Sequence, residues 1–242
     1  MEIITFKTKK ELSEKACDMV LKTIHSSDEP VIGLATGSTP EGLYECLINQ
    51  YKNGHVDFDH VTSFNLDEYV GLDESHPGSY KYYMKEKLFD HVNIPEEKAH
   101  VPSGIATDLE SHCKAYEEKI AAAGRIDLQI LGIGVNGHIG FNEPGTSFES
   151  RTHVVELKES TREVNSRFFN SIDEVPTDAV TMGIQTILDA KEVVLLITGE
   201  NKAETVRQLI ETDVTEDFPA SALKNHPNFT LLVDEAAYSK VK

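Results

Sequence analysis

The chain has 242 residues, 39% of them hydrophobic and 26% charged, and a formal net charge of −18 from 23 basic and 41 acidic side chains. That length suffices for a buried core without disulfides or metal, and the acidity argues against a nucleic-acid or anionic-membrane surface, because the long-range field repels both. A small anionic substrate stays open: at physiological salt exposed charges act over only about 8 Å, so a few local cations can govern a pocket.

The first strand is expected at residues 3–6. An amphipathic helix follows, with apolar Leu12, Ala16, Met19, Val20 and Ile24, and with Thr8 and Glu11 in capping-box spacing at its start. Residues 31–35 read as a buried strand that runs through Gly33-Leu34-Ala35-Thr36-Gly37-Ser38-Thr39-Pro40 into a helix over about 40–51. Thr39 suits an N-cap and Pro40 the first helical position. The plain reading is a well-formed strand-to-helix turn. The functional one is a phosphate loop, in which Gly37 lets backbone N–H groups approach an anion while Thr36, Ser38 and Thr39 add hydroxyls. No Lys follows the glycines, so this is not a Walker A loop.

A strand at 61–66 ends in Phe64-Asn65-Leu66-Asp67-Glu68-Tyr69. Adjacent acids at a strand end are ordinarily solvated; beyond an apolar strand that opens into a cleft, one of them becomes a candidate base. Helices are expected over about 79–89 and 108–123. The strand at 127–133 then opens into Gly134-Val135-Asn136-Gly137-His138-Ile139-Gly140-Phe141-Asn142-Glu143-Pro144. Gly132, Gly134 and Gly137 satisfy G-x-G-x-x-G, but that dinucleotide motif needs a helix to begin at the loop, and Gly140, Pro144 and Gly145 leave no room for one. What remains is a histidine held by glycines beyond a strand, with Asn136 near and Glu143 five residues on. That arrangement suits proton transfer, with the carboxylate orienting the imidazole and tuning it near neutrality.

Further strands are expected at 154–157, 179–182, 193–198 and 229–233, and helices over about 161–169 and 202–211. Two cations suit the phosphate. Arg167 lies in Asn165-Ser166-Arg167-Phe168-Phe169, and Lys202 follows the most apolar strand. A cation in a first helical turn opposes the helix dipole at a cost of a few tenths of a kcal/mol, and a phosphate shared with the helix end would reverse that sign. The alternation of strands and helices implies one α/β domain over 1–242, a mainly parallel open sheet with helices on both faces and ligands beyond the carboxyl ends of its strands.

Cys17, Cys46 and Cys113 are odd in number and form no C-x-x-C pair, which reads as free thiols in a reducing compartment. No basic-then-apolar signal opens the chain, and no apolar run approaches the ~20 residues of a membrane helix. A cytoplasmic enzyme without membrane or nucleic-acid partners is therefore expected. The ten histidines show no H-E-x-x-H and no metal-ligand spacing.

Five stretches, Gly-Leu-Ala-Thr-Gly-Ser-Thr-Pro (33–40), Phe-Asn-Leu-Asp-Glu-Tyr-Val-Gly-Leu (64–72), His-Pro-Gly-Ser-Tyr (76–80), Gly-His-Ile-Gly-Phe-Asn-Glu-Pro (137–144) and Asn-Ser-Arg-Phe-Phe (165–169), together closely resemble the glucosamine-6-phosphate deaminase family, also called the glucosamine/galactosamine-6-phosphate isomerases. The resemblance spans essentially the whole chain. It implies a Rossmann-like fold of sugar-phosphate isomerase type and conversion of D-glucosamine 6-phosphate and water to D-fructose 6-phosphate and ammonia, in N-acetylglucosamine utilisation, with no metal or organic cofactor. It also implies that Asp67 is the C2-proton base and His138 the ring-opening group, with Asn136 and Glu143 assisting. Arg167, Lys202 and Thr36, Gly37, Ser38 and Thr39 correspond to phosphate contacts. Some members carry Asp where this chain has Asn136; an amide can orient His138 but cannot stabilise its cation with a charge. Members activated by N-acetylglucosamine 6-phosphate carry basic residues where this chain has His153 and Val155, and a tail extending past the position of Lys242. Little or no activation, and a monomer or small homo-oligomer, are therefore expected. Two other readings remain: a 6-phosphogluconolactonase-like hydrolase, which shares the fold and a Gly-His loop but needs no C2-proton base, and a non-catalytic sugar-phosphate sensor.

Overall fold

The computed structural model describes residues 1–166 and 169–241, apart from the side chains of Ser160 and Val164. Its strands are β1 (Glu2–Phe6), β2 (Val31–Leu34), β3 (Thr62–Asn65), β4 (Asp67–Tyr69), β5 (Ala99–His100), β6 (Leu128–Leu131), β7 (His153–Glu156), β8 (Asp178–Thr181), β9 (Glu192–Ile197) and β10 (Phe229–Asp234). The α-helices are α1 (Lys9–His25), α2 (Glu41–Lys52), α3 (Tyr80–Lys87), α4 (Leu109–Ala122), α5 (Glu159–Asn165), α6 (Ile184–Leu188), α7 (Ala203–Glu211) and α8 (Glu235–Tyr238). Seven strands form one all-parallel sheet in the order β1-β10-β9-β6-β2-β3-β5.

The capping box at the start of α1 forms as the spacing requires: Thr8 Oγ1 accepts from the Glu11 amide, and Glu11 returns its carboxylate to the Thr8 amide. Caps of this kind are worth about 1 kcal/mol. The helix buries Leu12, Ala16, Cys17, Val20 and Ile24. Alternation along β3 then sorts the two faces of the sheet. Ser63 shares an apolar cavity with Val20 and Ile24 of α1 and Leu47 of α2. Phe64, pointing the other way, packs edge-on against Tyr116 of α4 and stacks on His100. Helices therefore cover both faces, and the strands between them are apolar on consecutive residues.

Two differences from the sequence expectation bear on the site. The strands expected at 154–157 and 179–182 do not join the parallel sheet. They form, with β4, a separate three-stranded antiparallel sheet in the order β4-β8-β7. β4 itself was hidden, because residues 64–69 read as one continuous run, whereas the chain leaves the large sheet at Leu66 and starts a new ladder at Asp67. The cysteine reading is corrected as well. Cys17 and Cys46 form a disulfide between α1 and α2, their Cα atoms 6.2 Å apart, and Cys113 alone is a free, buried thiol. Two helices packed side by side brought together residues 29 apart in sequence, which no local spacing signals. No helix among the described residues is long and apolar enough to cross a membrane.

Candidate active site

The loops that follow β2, β3, β6 and β9 all leave the same edge of the parallel sheet, and β2 and β6 are neighbours there. From β2 the chain passes to β3 on one side, and β6 is followed in the sheet by β9 on the other, so a crevice opens between the two loops, as doubly wound sheets require.

The loop after β2 turns at Gly37, whose φ of +93° is reached without strain only by glycine. Its carbonyls are taken by side chains from three helices. Tyr44 donates to Ala35, Tyr83 to Gly37 at 2.6 Å, and Lys9 to Ser38 at 2.6 Å. The backbone N–H groups of residues 36–39 donate to no acceptor among the described residues. With its carbonyls engaged and its amides open, the turn carries the donor set that an anion-binding concavity requires. One detail corrects the sequence reading: Pro40, not Thr39, is the N-cap of α2, and no side chain caps it. The Thr39 hydroxyl is thus not spent on the helix.

Asp67 and Glu68 open β4, and although adjacent they differ in kind. Glu68 is buried and its carboxylate is occupied. Oε1 accepts from the amides of Tyr69 at 2.8 Å and Tyr80 at 2.9 Å, and Oε2 from Lys81 at 2.9 Å, tying β4 to the start of α3. Burial still raises its pKa to about 7 against those donors. Asp67 is only 6% exposed, and no donor among the described residues reaches its carboxylate. Burial, and then the charge of Glu68, push it to about 8. Asp67 pairs with Thr181 of β8, whose hydroxyl accepts from the Phe141 amide at 3.1 Å. A Cβ placed on Gly140 would lie 3.5 Å from Asp67 Oδ2. The carboxylate therefore abuts the histidine loop.

That loop, from Gly132 onward, contains no helix before β7, which removes the dinucleotide reading on structural grounds. The His138 ring lies over Gly134, where a Cβ would fall 2.1 Å from its Cε1. Three of the loop's carbonyls are tied down: Ile133 by Lys202 at 2.8 Å, Val135 by Thr205 at 3.0 Å and Gly137 by the Ala220 amide at 2.9 Å.

Glu143 does not hydrogen-bond His138 directly. Its Oε2 accepts from the Asn136 amide nitrogen at 2.7 Å, and Asn136 Oδ1 meets His138 Nδ1 at 2.7 Å. Because a carboxylate only accepts, Asn136 must turn its NH2 to Glu143 and its oxygen to the imidazole. Nδ1 then carries the proton, and Nε2 is the free base. Burial lowers the His138 pKa, the Glu143 charge raises it, and Lys202 and Lys158 lower it again, for a net fall that keeps the ring neutral at pH 7. Should the ring take a proton, Glu143 Oε2 stands 3.7 Å from Nδ1. The negative charge that an amide at 136 lacks is thus supplied one bond further on. Thr161, read from sequence only as the start of a helix, also donates its hydroxyl to Glu143 Oε1.

Of the proposed phosphate cations, Lys202 sits in a 3-10 turn before α7, bridged to Ile133 in the loop after β6 and close enough to His138 to depress its pKa. Arg167 lies outside the described residues. Among the described residues one group, Asp57, Asp59 and His60, brings potential metal-ligand atoms within 4.8 Å of one another. It precedes β3, at the opposite edge of the sheet, and Asp57 is already engaged by Asn93 and the Asp59 amide.

The sequence model of the family described as glucosamine-6-phosphate isomerases/6-phosphogluconolactonase matches residues 7–232. The glucosamine-6-phosphate deaminase of Oceanobacillus iheyensis is 54% identical over 241 residues, covering all of this chain and 96% of that one. Glucosamine-6-phosphate deaminase 1 of Bacillus subtilis is 50% identical over 239 residues, 99% of each chain. A solved structure of a monomeric glucosamine-6-phosphate deaminase superposes with a TM-score of 0.97 at 50% identity, covering 99% of both chains. A 6-phosphogluconolactonase from Trypanosoma brucei, at TM-score 0.81 and 20% identity over all of this chain and 98% of that one, shares the fold. This chain belongs to the glucosamine-6-phosphate deaminase family of enzymes.

Proposed function

We propose that this enzyme converts D-glucosamine 6-phosphate and water to D-fructose 6-phosphate and ammonia, in the breakdown of amino sugars. The observation that carries the reading is the pairing of a histidine held in one tautomer with a bare, buried carboxylate on the far side of the same loop. His138 Nε2 takes the proton of the anomeric hydroxyl and delivers it to the ring oxygen, opening the pyranose to an aldehyde. Asp67 removes the C2 proton, and the electron pair moves through C1 to the aldehyde oxygen, which gains a proton. The resulting enolamine is protonated at C1, leaving an iminium at C2. Water adds there and ammonia departs. Each placed acid–base group supplies about 10²–10⁴-fold.

The phosphate binds the amides of Thr36, Gly37, Ser38 and Thr39, with Lys202 and Arg167 as cations. Anchoring this remote group turns binding energy into orientation at C1 and C2. The substrate's own ammonium, beside Asp67, favours the carboxylate form that burial opposes. The enzyme works as a monomer or small oligomer without activation by N-acetylglucosamine 6-phosphate; the likeness to a monomeric relative supports the first point, and His153 and Val155 support the second.

The test is ammonia release from glucosamine 6-phosphate, run beside hydrolysis of 6-phosphogluconolactone and with the acetylated sugar phosphate added in a third arm. Ammonia with no lactonase activity, and no several-fold stimulation at low substrate, is expected. Lactone hydrolysis without ammonia would overturn the proposal.

A further inference from the structure

Glu143 is 5% exposed, and two donors among the described residues reach its carboxylate: the Asn136 amide on Oε2 and the Thr161 hydroxyl on Oε1. Thr161, itself 5% exposed, comes from α5, outside the histidine loop and 18 residues from Glu143. The helix is held independently of the loop. Arg162, the next residue, donates to the carbonyls of Ile172 and Val175 at 3.0–3.2 Å, and so locks the return of the chain onto α5.

We infer that Thr161 is a positioning residue for His138: its hydroxyl holds Glu143 as an oriented acceptor, and Glu143 through Asn136 keeps the proton on Nδ1 and Nε2 free. The inference rests on the ring-opening role given to His138 above. Thr161 O–H, Asn136 N–H and His138 Nδ1–H each donate once, and each donation is directed by the one before it. A carboxylate deprived of one of its two donors is no longer held in rotation, and Oε2 can leave the Asn136 NH2. The amide then turns over, its NH2 faces Nδ1, and the imidazole proton moves to Nε2. That tautomer cannot accept the anomeric proton. A network in series is therefore only as well ordered as its terminal donor.

Thr161→Val removes the hydroxyl at nearly constant shape, and Thr161→Ser keeps it. In protein labelled with 15N in histidine, the His138 signals, identified by their loss in His138→Gln, should report Nδ1–H in the wild type and in Thr161→Ser near pH 7.5. In Thr161→Val they should report a mixture with Nε2–H. With glucosamine 6-phosphate, Thr161→Val should lower kcat about tenfold with KM within about twofold, and raise the acid limb of the kcat profile, while Thr161→Ser restores both. A Thr161→Val protein with wild-type tautomer and wild-type pH profile would overturn the inference. So would a Thr161→Ser protein as impaired as the valine variant, since shape rather than the hydroxyl would then be responsible. The nitrogen signals need no turnover, so a wild type that releases no ammonia would defeat the functional reading while the tautomer result still decides the role of Thr161.

Discussion

His138 and Asp67 meet at the same loop, yet their surroundings are opposite in kind. Around His138 the imidazole, the Asn136 amide and the Glu143 carboxylate are joined in one hydrogen-bonded series, with Thr161 at its far end. Around Asp67 nothing among the described residues donates to the carboxylate; it is buried beside a second acid whose own oxygens are filled by backbone amides. In the proposed mechanism the first region fixes geometry, because a group that takes a proton from one oxygen and gives it to another has to present the correct nitrogen. The second stores reactivity. A carboxylate without donors is a stronger base than one with three, and Glu68 beside it shows what a fully solvated-by-backbone carboxylate in the same strand looks like.

The largest effect expected from breaking this contrast is on the oriented side. His138→Gln should lower kcat for ammonia release by about 10²–10⁴-fold with little change in KM, since an amide cannot shuttle the proton. Steady-state kinetics check this.

On the bare side the signature is in stability. Because burial raises Asp67 from its ordinary 3.8 to about 8, the folded state keeps a proton that the unfolded chain has lost. Its contribution is neutral below pH 4, and stability falls as pH rises from about 4 to about 8. Glu68, raised from 4.5 to about 7, adds a fall of the same sign across a narrower window. Asp67→Asn should therefore match or fall slightly below the wild type at pH 4 and exceed it by roughly 5 kcal/mol at pH 8, read by denaturant unfolding at both pH values. An equal difference at the two pH values would mean that Asp67 is not a strained base.

A smaller effect is expected at the anion loop. Tyr83→Phe frees the Gly37 carbonyl and loosens the turn that directs the amides, so KM should rise about three- to tenfold at unchanged kcat, in keeping with one lost hydrogen bond of about 1 kcal/mol. The binding of inorganic phosphate as a competitive inhibitor should weaken by the same factor.

What was legible in the sequence follows the reach of each signal. Gly37, the hydroxyls at 36, 38 and 39, and the Asn136-His138-Glu143 cluster are local, and local spacing is enough to single them out. The partners that hold them in place come from elsewhere. Lys9, Tyr44 and Tyr83 approach the anion loop from three helices, and Thr161 reaches Glu143 from α5; no periodicity announces such contacts. The carboxylate was expected to orient the imidazole, and five residues of separation cannot show that an amide stands between them. Local pattern left Asp67 and Glu68 indistinguishable, and only the family resemblance singled out Asp67, because what separates them is whether α3 lends its amides. The same limit explains the Cys17–Cys46 bridge and the antiparallel sheet. Both are made by pairings of elements far apart in the chain, whereas the parallel sheet was readable from apolar strands that need no partner identity to declare themselves.

The most direct test of the account is ammonia release from glucosamine 6-phosphate by the wild type and by Asp67→Asn at pH 8, with KM and thermal unfolding measured on the same samples. The account predicts release by the wild type, a loss of about 10³-fold or more in kcat for the folded variant and a KM within a few-fold; a folded Asp67→Asn that releases ammonia at the wild-type rate would contradict it.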